Sequence, residues 1–178
     1  QDADRGYSLV GSTADGNVAL LKVDASGELL WSRTFGGGGE DLGYGGQQTQ
    51  DGGYVLVGST RSFGAGTQIY VVKTYADGVE QWSEKRGYSA DNEYGRSVQQ
   101  TSDGGFIVLG YTTAADHDFF YLKFGAHGGP PQWYAARGLG DNQELGYGVQ
   151  QTSDGNYVMV GRNDAGIWKT LSLSVVLN

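Results

Sequence analysis

The sequence lacks several residue types and patterns on which functional sites often depend. The 178-residue chain has no cysteine, which excludes disulfide bonds and thiolate metal sites. No apolar run is long enough to cross a bilayer, so we expect no membrane insertion. Acidic residues outnumber basic ones, and the net charge of −8 repels phosphate backbones, so we expect no nucleic-acid partner.

Proline is almost absent, with 2 residues, whereas glycine is abundant, with 32. So much glycine is compatible with disorder, but a disordered chain would not be 38% hydrophobic and 12% aromatic. The glycines are therefore expected to serve turns, and many turns imply many short strands. The composition predicts an all-β protein.

The strongest pattern is an internal repeat of about 51 residues. Tryptophan recurs at Trp31, Trp82 and Trp133. The segment Gln-Gln-Thr-x-Asp-Gly recurs at residues 47–52, 99–104 and 150–155, and each copy precedes an aromatic residue and an apolar run that ends in glycine. This spacing divides a single domain into repeats 1–42, 43–93 and 94–144 and a partial repeat 145–178.

Each repeat is predicted to form four antiparallel strands. An Asp-Gly turn joins the first two strands, and the fourth strand carries the tryptophan. The second and third strands are apolar at nearly every position, which indicates burial on both faces. A stack of four-stranded blades, as in a β-propeller, buries a strand in this way. We therefore predict about three and a half propeller-type blades, with a sandwich or a β-solenoid as alternatives.

The two ends of the chain are predicted to complement each other. Residues 1–7 match the turn that begins at Ser102, with Asp2 laid on Asp103, so the first blade has no first strand. The final segment has the pattern of that missing strand, and its predicted assembly residues are Ser174, Val175, Val176 and Leu177. This strand would either close a ring within one chain or pair with a neighbouring molecule, giving an oligomer or filament. Either outcome covers an exposed sheet edge.

The run from Asp51 to Thr60, followed by Ile69 to Lys73, resembles the glycine-rich propeller repeats of bacterial and archaeal surface or secreted proteins. The resemblance extends from Tyr7 to about Gly161 and implies one blade per repeat and an extracellular or cell-surface location. The unit also resembles the quinoprotein-type blade. That second resemblance concerns the blade alone and implies no quinone cofactor, because fold does not carry function.

Histidine is too scarce to supply a catalytic centre. The two histidines, His117 and His127, fall in predicted loops, so no Ser/His/Asp arrangement can be built on them. Asp116 and Asp118 flank His117 and would be its metal co-ligands, but neighbouring repeats carry no histidine there, which favours a solvated loop. We therefore predict no enzyme, no cofactor and no metal site.

An acidic residue recurs just before each predicted first strand, and an aromatic or basic residue follows it three positions later. The candidate ligand-binding residues are Asp41, Tyr44, Glu93, Arg96, Glu144 and Tyr147. Together they suit a sugar or a cation, but a repeated carboxylate also suits a structural cap on the backbone amides of the crossing loop. The sequence thus predicts a non-enzymatic module for binding or self-assembly. The alternative function is that of a lectin with repeated glycan sites at the crossing loops.

Overall fold

A computed structural model describes residues 1–87, 92–113, 118–137, 144–163 and 168–173. The described chain is all-β and forms four antiparallel sheets. Sheet 1 contains β1 (Tyr7–Ser12), β2 (Val18–Val23) and β3 (Leu29–Phe35). Sheet 2 contains β4 (Asp41–Gln48), β5 (Tyr54–Thr60), β6 (Gln68–Thr74) and β7 (Glu80–Arg86). Sheet 3 contains β8 (Glu93–Gln100), β9 (Phe106–Thr112), β10 (Phe119–Phe124) and β11 (Trp133–Arg137). Sheet 4 contains β12 (Glu144–Gln151), β13 (Tyr157–Asn163) and β14 (Trp168–Leu173).

The strand count of each sheet follows the repeat pattern. Strands are hydrogen-bonded in chain order within every sheet, and in the described part of the chain sheet 1 has three strands, with β1 at its edge. Trp168 begins β14, the third strand of sheet 4, so it is not equivalent to the tryptophans of the fourth strands. The predicted assembly strand, residues 174–178, lies outside the described residues.

The first hairpin of each repeat is closed by an aspartate and a residue with a positive φ. In sheet 2 the amide of Gly53 donates a hydrogen bond to Asp51 Oδ1 (3.0 Å), and Gly52 has a φ of 82°. Glycine adopts this conformation at little cost, which explains the recurrent Asp-Gly. In sheet 1 Arg5 occupies the same position with a φ of 69°.

This hairpin corrects the predicted register of the N-terminus. The amide of Asp2 donates to the carbonyl of Gly6, just as the amide of Thr49 donates to the carbonyl of Gly53. Asp2 is therefore the counterpart of Thr49, and not of Asp103 as the sequence alignment predicts. The prediction was wrong by two residues because it matched aspartate to aspartate, whereas the turn aspartate of sheet 1 is Asp4.

The sheets stack face to face in chain order, and the inner sheets are buried on both faces. Val55 and Val57 of β5 pack against sheet 3, whereas Tyr54 and Leu56 of the same strand pack against sheet 1. A third cluster, which includes Leu109 and Met159, joins sheets 3 and 4. The predicted two-sided burial is confirmed. We call the side of a sheet that faces the preceding sheet its front and the other side its back.

The fourth-strand tryptophans belong to these contacts between sheets. Trp31 meets Tyr54 of the next sheet edge to face, with ring centroids 5.7 Å apart. Trp82 meets Phe106 at 5.7 Å and Trp133 meets Tyr157 at 6.0 Å in the same geometry. These tryptophans are therefore packing residues, since edge-to-face aromatic pairs stabilise a core beyond their buried area.

Glycines allow the first strand of each sheet to approach the preceding sheet. A β-carbon built at Gly43 would lie 2.5 Å from the carbonyl oxygen of Gly11, and one at Gly95 would lie 3.0 Å from that of Gly58. Gly146 repeats the approach, at 3.0 Å from the carbonyl oxygen of Gly110. The first strands β4, β8 and β12 consequently lie side by side through the stack.

Candidate functional site

The aromatic and basic residues of the predicted site occupy three equivalent β-bulges. Tyr44, Arg96 and Tyr147 are the extra residues of β4, β8 and β12. The pairing register jumps over them between Gly43 and Gly45, between Gly95 and Ser97, and between Gly146 and Gly148. A bulge leaves its extra residue out of the ladder and redirects the side chain.

Two of these bulge residues meet across the contact between sheets 2 and 3. The guanidinium carbon of Arg96 lies 3.8 Å from the centroid of the Tyr44 ring and 5.1 Å from that of Tyr111. Arg96 Nη2 also donates a hydrogen bond to the Tyr111 hydroxyl (2.8 Å), and the Tyr111 ring stacks on Tyr94 at 5.2 Å. The group is half-buried, so one arginine and three tyrosines form a partly exposed cation–π stack. Tyr147, on β12, is exposed.

Asp41 is engaged in structural hydrogen bonds. It is the first residue of β4 and is fully buried. Its carboxylate accepts hydrogen bonds from the amide of Gly37 (2.8 Å) and the hydroxyls of Ser62 (2.8 Å) and Thr60. These partners belong to the crossing loop and to the end of β5 with the loop after it. The carboxylate of Asp41 therefore caps a backbone amide of the crossing loop.

Glu93 and Glu144 are the first residues of β8 and β12, and both side chains are almost completely buried. The backbone amide of Glu93 donates to the carbonyl of Thr67. Both carboxylate oxygens of Glu144 are buried without a hydrogen-bond partner among the described residues. All three acidic residues thus begin a strand, whereas the repeat pattern predicts them ahead of it.

Burial divides the predicted site into two parts. The carboxylates of Asp41, Glu93 and Glu144 are at most 3% exposed, so a ligand in solvent does not reach them. The bulge residues Tyr44 and Arg96 remain accessible on the inner strands. A ligand in this region would therefore meet aromatic rings and a guanidinium before any of the three carboxylates.

Sequence reasoning missed a buried ion pair that recurs in three sheets. Lys73, at the end of β6, has a side chain 3% exposed, and its ammonium group contacts Asp51 at 2.8 Å. It also donates to the carbonyl of Thr74 at 2.8 Å. Sheet 3 repeats the pair between Lys123 and Asp103 at 2.9 Å. The sequence contains the signal, because the third strand of each of the first three repeats has lysine as its penultimate residue and the preceding turn contains aspartate.

Sheet 1 has a doubled version of this pair. Lys22 Nζ donates to Asp2 and to Asp4, at 2.7 Å in both cases. Burial alone would lower the pKa of Lys22, but the hydrogen bonds that its ammonium group donates to the two carboxylates outweigh burial and raise that pKa. The second carboxylate exists because Asp2 replaces the threonine of the other turns.

Sheet 4 lacks the lysine. Ser172 pairs with Val158 in the position that Lys73 holds opposite Val55. The turn aspartate, Asp154, instead accepts hydrogen bonds from Thr152 and Asn156. Sheet 4 therefore provides a natural comparison for the energetics of the ion pair.

A row of glutamines links the turns of successive sheets. Oε1 of Gln48, Gln100 and Gln151 accepts a hydrogen bond from the turn amide of the preceding sheet, at 2.8 Å in each case. The side-chain amide nitrogen of each glutamine donates to a carbonyl of its own turn. Between sheets 3 and 4 a cleft of about 310 Å³ opens beside this row, lined among others by Lys123, Trp133 and Gln151.

No family model and no curated protein matches the chain. Among the described residues, no three histidine, aspartate or glutamate side chains are grouped closely enough to hold a metal ion. The same part of the chain contains no helix suited to crossing a membrane.

Proposed function

We propose that this chain is a non-enzymatic extracellular or cell-surface module for binding or self-assembly, built as a propeller-type stack of blades. The stacking in chain order and the close approach of the first strands support the propeller arrangement. The surface location rests on the resemblance of the repeats to those of surface and secreted proteins. Self-assembly is the function that the geometry supports best.

The observation that carries this proposal is the edge of β1. In sheet 2 the second strand, β5, is paired with the first strand, β4, and in sheet 3 β9 is paired with β8 in the same way. In the described part of sheet 1, β1 is the edge strand and has a partner only in β2. An unpaired edge presents backbone donors and acceptors that attract another strand. The apolar segment Ser174, Val175, Val176 and Leu177 is the proposed donor to a neighbouring molecule.

A truncation tests this proposal. Residues 1–173 and the full chain would be compared by size-exclusion chromatography with light scattering across a wide range of concentration. We expect the full chain to associate and the truncated chain to lose the strand-dependent part of that association. A synthetic peptide of residues 174–178, added in excess, should compete with the full chain. A monomeric full chain, or identical association of both chains, would refute strand donation.

A carbohydrate ligand is the second candidate, and the Arg96 stack favours it. Tyrosine faces pack on sugar rings, and a guanidinium donates hydrogen bonds to hydroxyl groups. A glycan array with the wild-type chain and the variants Tyr44→Ala and Arg96→Ala would test this site. Glu144→Gln is a matched control, since that side chain is buried. Absence of glycan binding, or binding unchanged by both alanine variants, would end this alternative.

A further inference from the structure

The front of sheet 1 exposes apolar side chains that are buried at the same position in every other sheet. Tyr7 is 45% exposed and Leu9 is 50% exposed. Their counterparts on β5, Tyr54 and Leu56, are 2% and 1% exposed because sheet 1 covers them. The opposite face of β1 is covered as in the other sheets, since Val10 packs against sheet 2. Sheet 1 therefore has one covered face and one uncovered apolar face.

The back of sheet 4 shows the complementary exposure. Val160 of β13 is 39% exposed, whereas its counterpart Val57 on β5 is 1% exposed and packs against sheet 3. Val158, the counterpart of Val55, is intermediate in exposure. The front of the same strand is covered, because Tyr157 and Met159 pack against sheet 3.

These two faces are the halves of an interface that the molecule already forms three times. In each internal contact the back of one sheet packs against the front of the next. The back of sheet 4 offers Val160 where sheet 2 offers Val57, and the front of sheet 1 offers Leu9 where sheet 3 offers Val108. Packing one of these faces on the other would bury apolar area on both, which favours association.

We propose that a second copy of this chain occupies each face, with the front of sheet 1 of one copy packed on the back of sheet 4 of another. This inference rests on the proposed self-assembly, but it assigns the contact to sheet faces and not to the β1 edge. The contact is heterologous, since two different surfaces meet. Each copy therefore accepts one neighbour at each end, and assembly produces a ring or an open chain.

The contact between copies is expected to be weaker than the internal ones, because the described part of sheet 4 does not supply a fourth-strand tryptophan to it. At the internal interfaces a fourth-strand tryptophan packs on the next sheet, as Trp31 does on Tyr54. The described part of sheet 4 ends at β14 and has no tryptophan-bearing fourth strand. Tyr7 would therefore lack its aromatic partner in the contact between copies. We expect weaker packing than inside the chain, and association that grows with concentration.

The test uses two variants that each block one face. Leu9→Asp places a carboxylate on the front of sheet 1, and Val160→Asp places one on the back of sheet 4. Either change should lower the association constant about a hundredfold or more, because an unpaired charge would be buried. Each variant alone should be monomeric. An equimolar mixture should form a dimer and nothing larger, because each variant retains the face that the other has lost.

Val79→Asp is the matched control, since Val79 is an exposed apolar residue in the turn before β7, away from both faces. It should associate like the wild type. Circular dichroism would establish folding, and Leu9→Ser and Val160→Ser would replace either aspartate variant that unfolds. Association of the single variants at the wild-type level, or no dimer in the mixture, would overturn the proposal.

If truncation at residue 173 abolishes association while Val160→Asp does not, strand donation stands and face stacking is refuted. The reverse result refutes strand donation and supports stacking.

Discussion

The ammonium group of Lys73 lies 2.8 Å from the carboxylate of Asp51, although the lysine side chain is only 3% exposed. The pair joins the end of a third strand to the turn between the first and second strands. It recurs in sheets 1 and 3, so it is a structural element of the repeat. A buried ammonium group is tolerated when it is paired and hydrogen-bonded.

Removing the carboxylate should therefore destabilise the fold. Asp51→Asn is expected to lower the free energy of unfolding by about 1–3 kcal/mol, because hydrogen bonds to a charged group are lost and the buried lysine keeps fewer partners. The partial exposure of Asp51 favours the lower end of this range. Urea denaturation measures the effect. Asp154→Asn is the control: Asp154 stands in the equivalent turn, but sheet 4 has serine in place of the lysine. Equal losses in both variants would contradict a role for the ion pair.

The same carboxylates predict how stability depends on pH. Burial would raise the pKa of Asp51, but hydrogen bonds from Lys73, Thr49 and the Gly53 amide outweigh it and lower that pKa to about 2. Asp103 behaves in the same way, with hydrogen bonds from Thr101 and Lys123 lowering its pKa to about 2. Both pKa values are depressed in the folded state, so the stabilisation is fully present above the ordinary value of 3.8.

We therefore expect the free energy of unfolding to fall as the pH drops from about 4 to about 2. Denaturation titrations at several pH values would measure this slope. The double variant Asp51→Asn/Asp103→Asn should have a flatter profile over that interval. An unchanged slope in the double variant would contradict the assignment.

Much of the fold was predictable because it follows from repetition and local pattern. The apolar second and third strands predict two-sided burial, and Val55 and Leu56 on adjacent positions of β5 show it. The Asp-Gly turns were equally clear, since a turn depends on residues close in sequence.

The candidate site was less predictable because it depends on which way side chains point. A bulge redirects Arg96 toward Tyr44 of the neighbouring sheet, and only the small flanking residues hint at it. The carboxylate of Asp41 turns into the crossing loop because Ser62 and the amide of Gly37 need an acceptor. Neither orientation follows from the spacing of acidic residues along the chain.

The close approach between sheets makes a further prediction about glycine. At Gly95 a β-carbon would lie 2.5 Å from a methyl group of Val57 and 3.0 Å from the carbonyl oxygen of Gly58. Gly95→Ala should therefore lower the free energy of unfolding by about 1–3 kcal/mol through overpacking. Gly11→Ala is the control, because a β-carbon there meets nothing within 4 Å. A neutral Gly95→Ala would show that the sheets do not approach each other at this point.

The glutamine row offers an independent test of the stacking. Gln100 Oε1 accepts a hydrogen bond from the amide of Gln50 in the preceding sheet (2.8 Å). Gln100→Ala should lower the free energy of unfolding by about 1 kcal/mol, since this link between sheets is lost. Gln50→Ala should be close to neutral, because that side chain is exposed and only its backbone takes part. Comparable losses in the two variants would argue against the link.

Chemical cross-linking addresses most directly the claim that the two outer faces are halves of one intermolecular interface. The chain has no cysteine, so the double variant Leu9→Cys/Val160→Cys carries thiols on those faces alone. Treatment with a short bifunctional maleimide, followed by mass spectrometry, identifies the linked species. We predict covalent dimers and higher oligomers joining residue 9 of one chain to residue 160 of another. Exclusive linkage within single chains, or no 9-to-160 linkage at any concentration, would contradict the account.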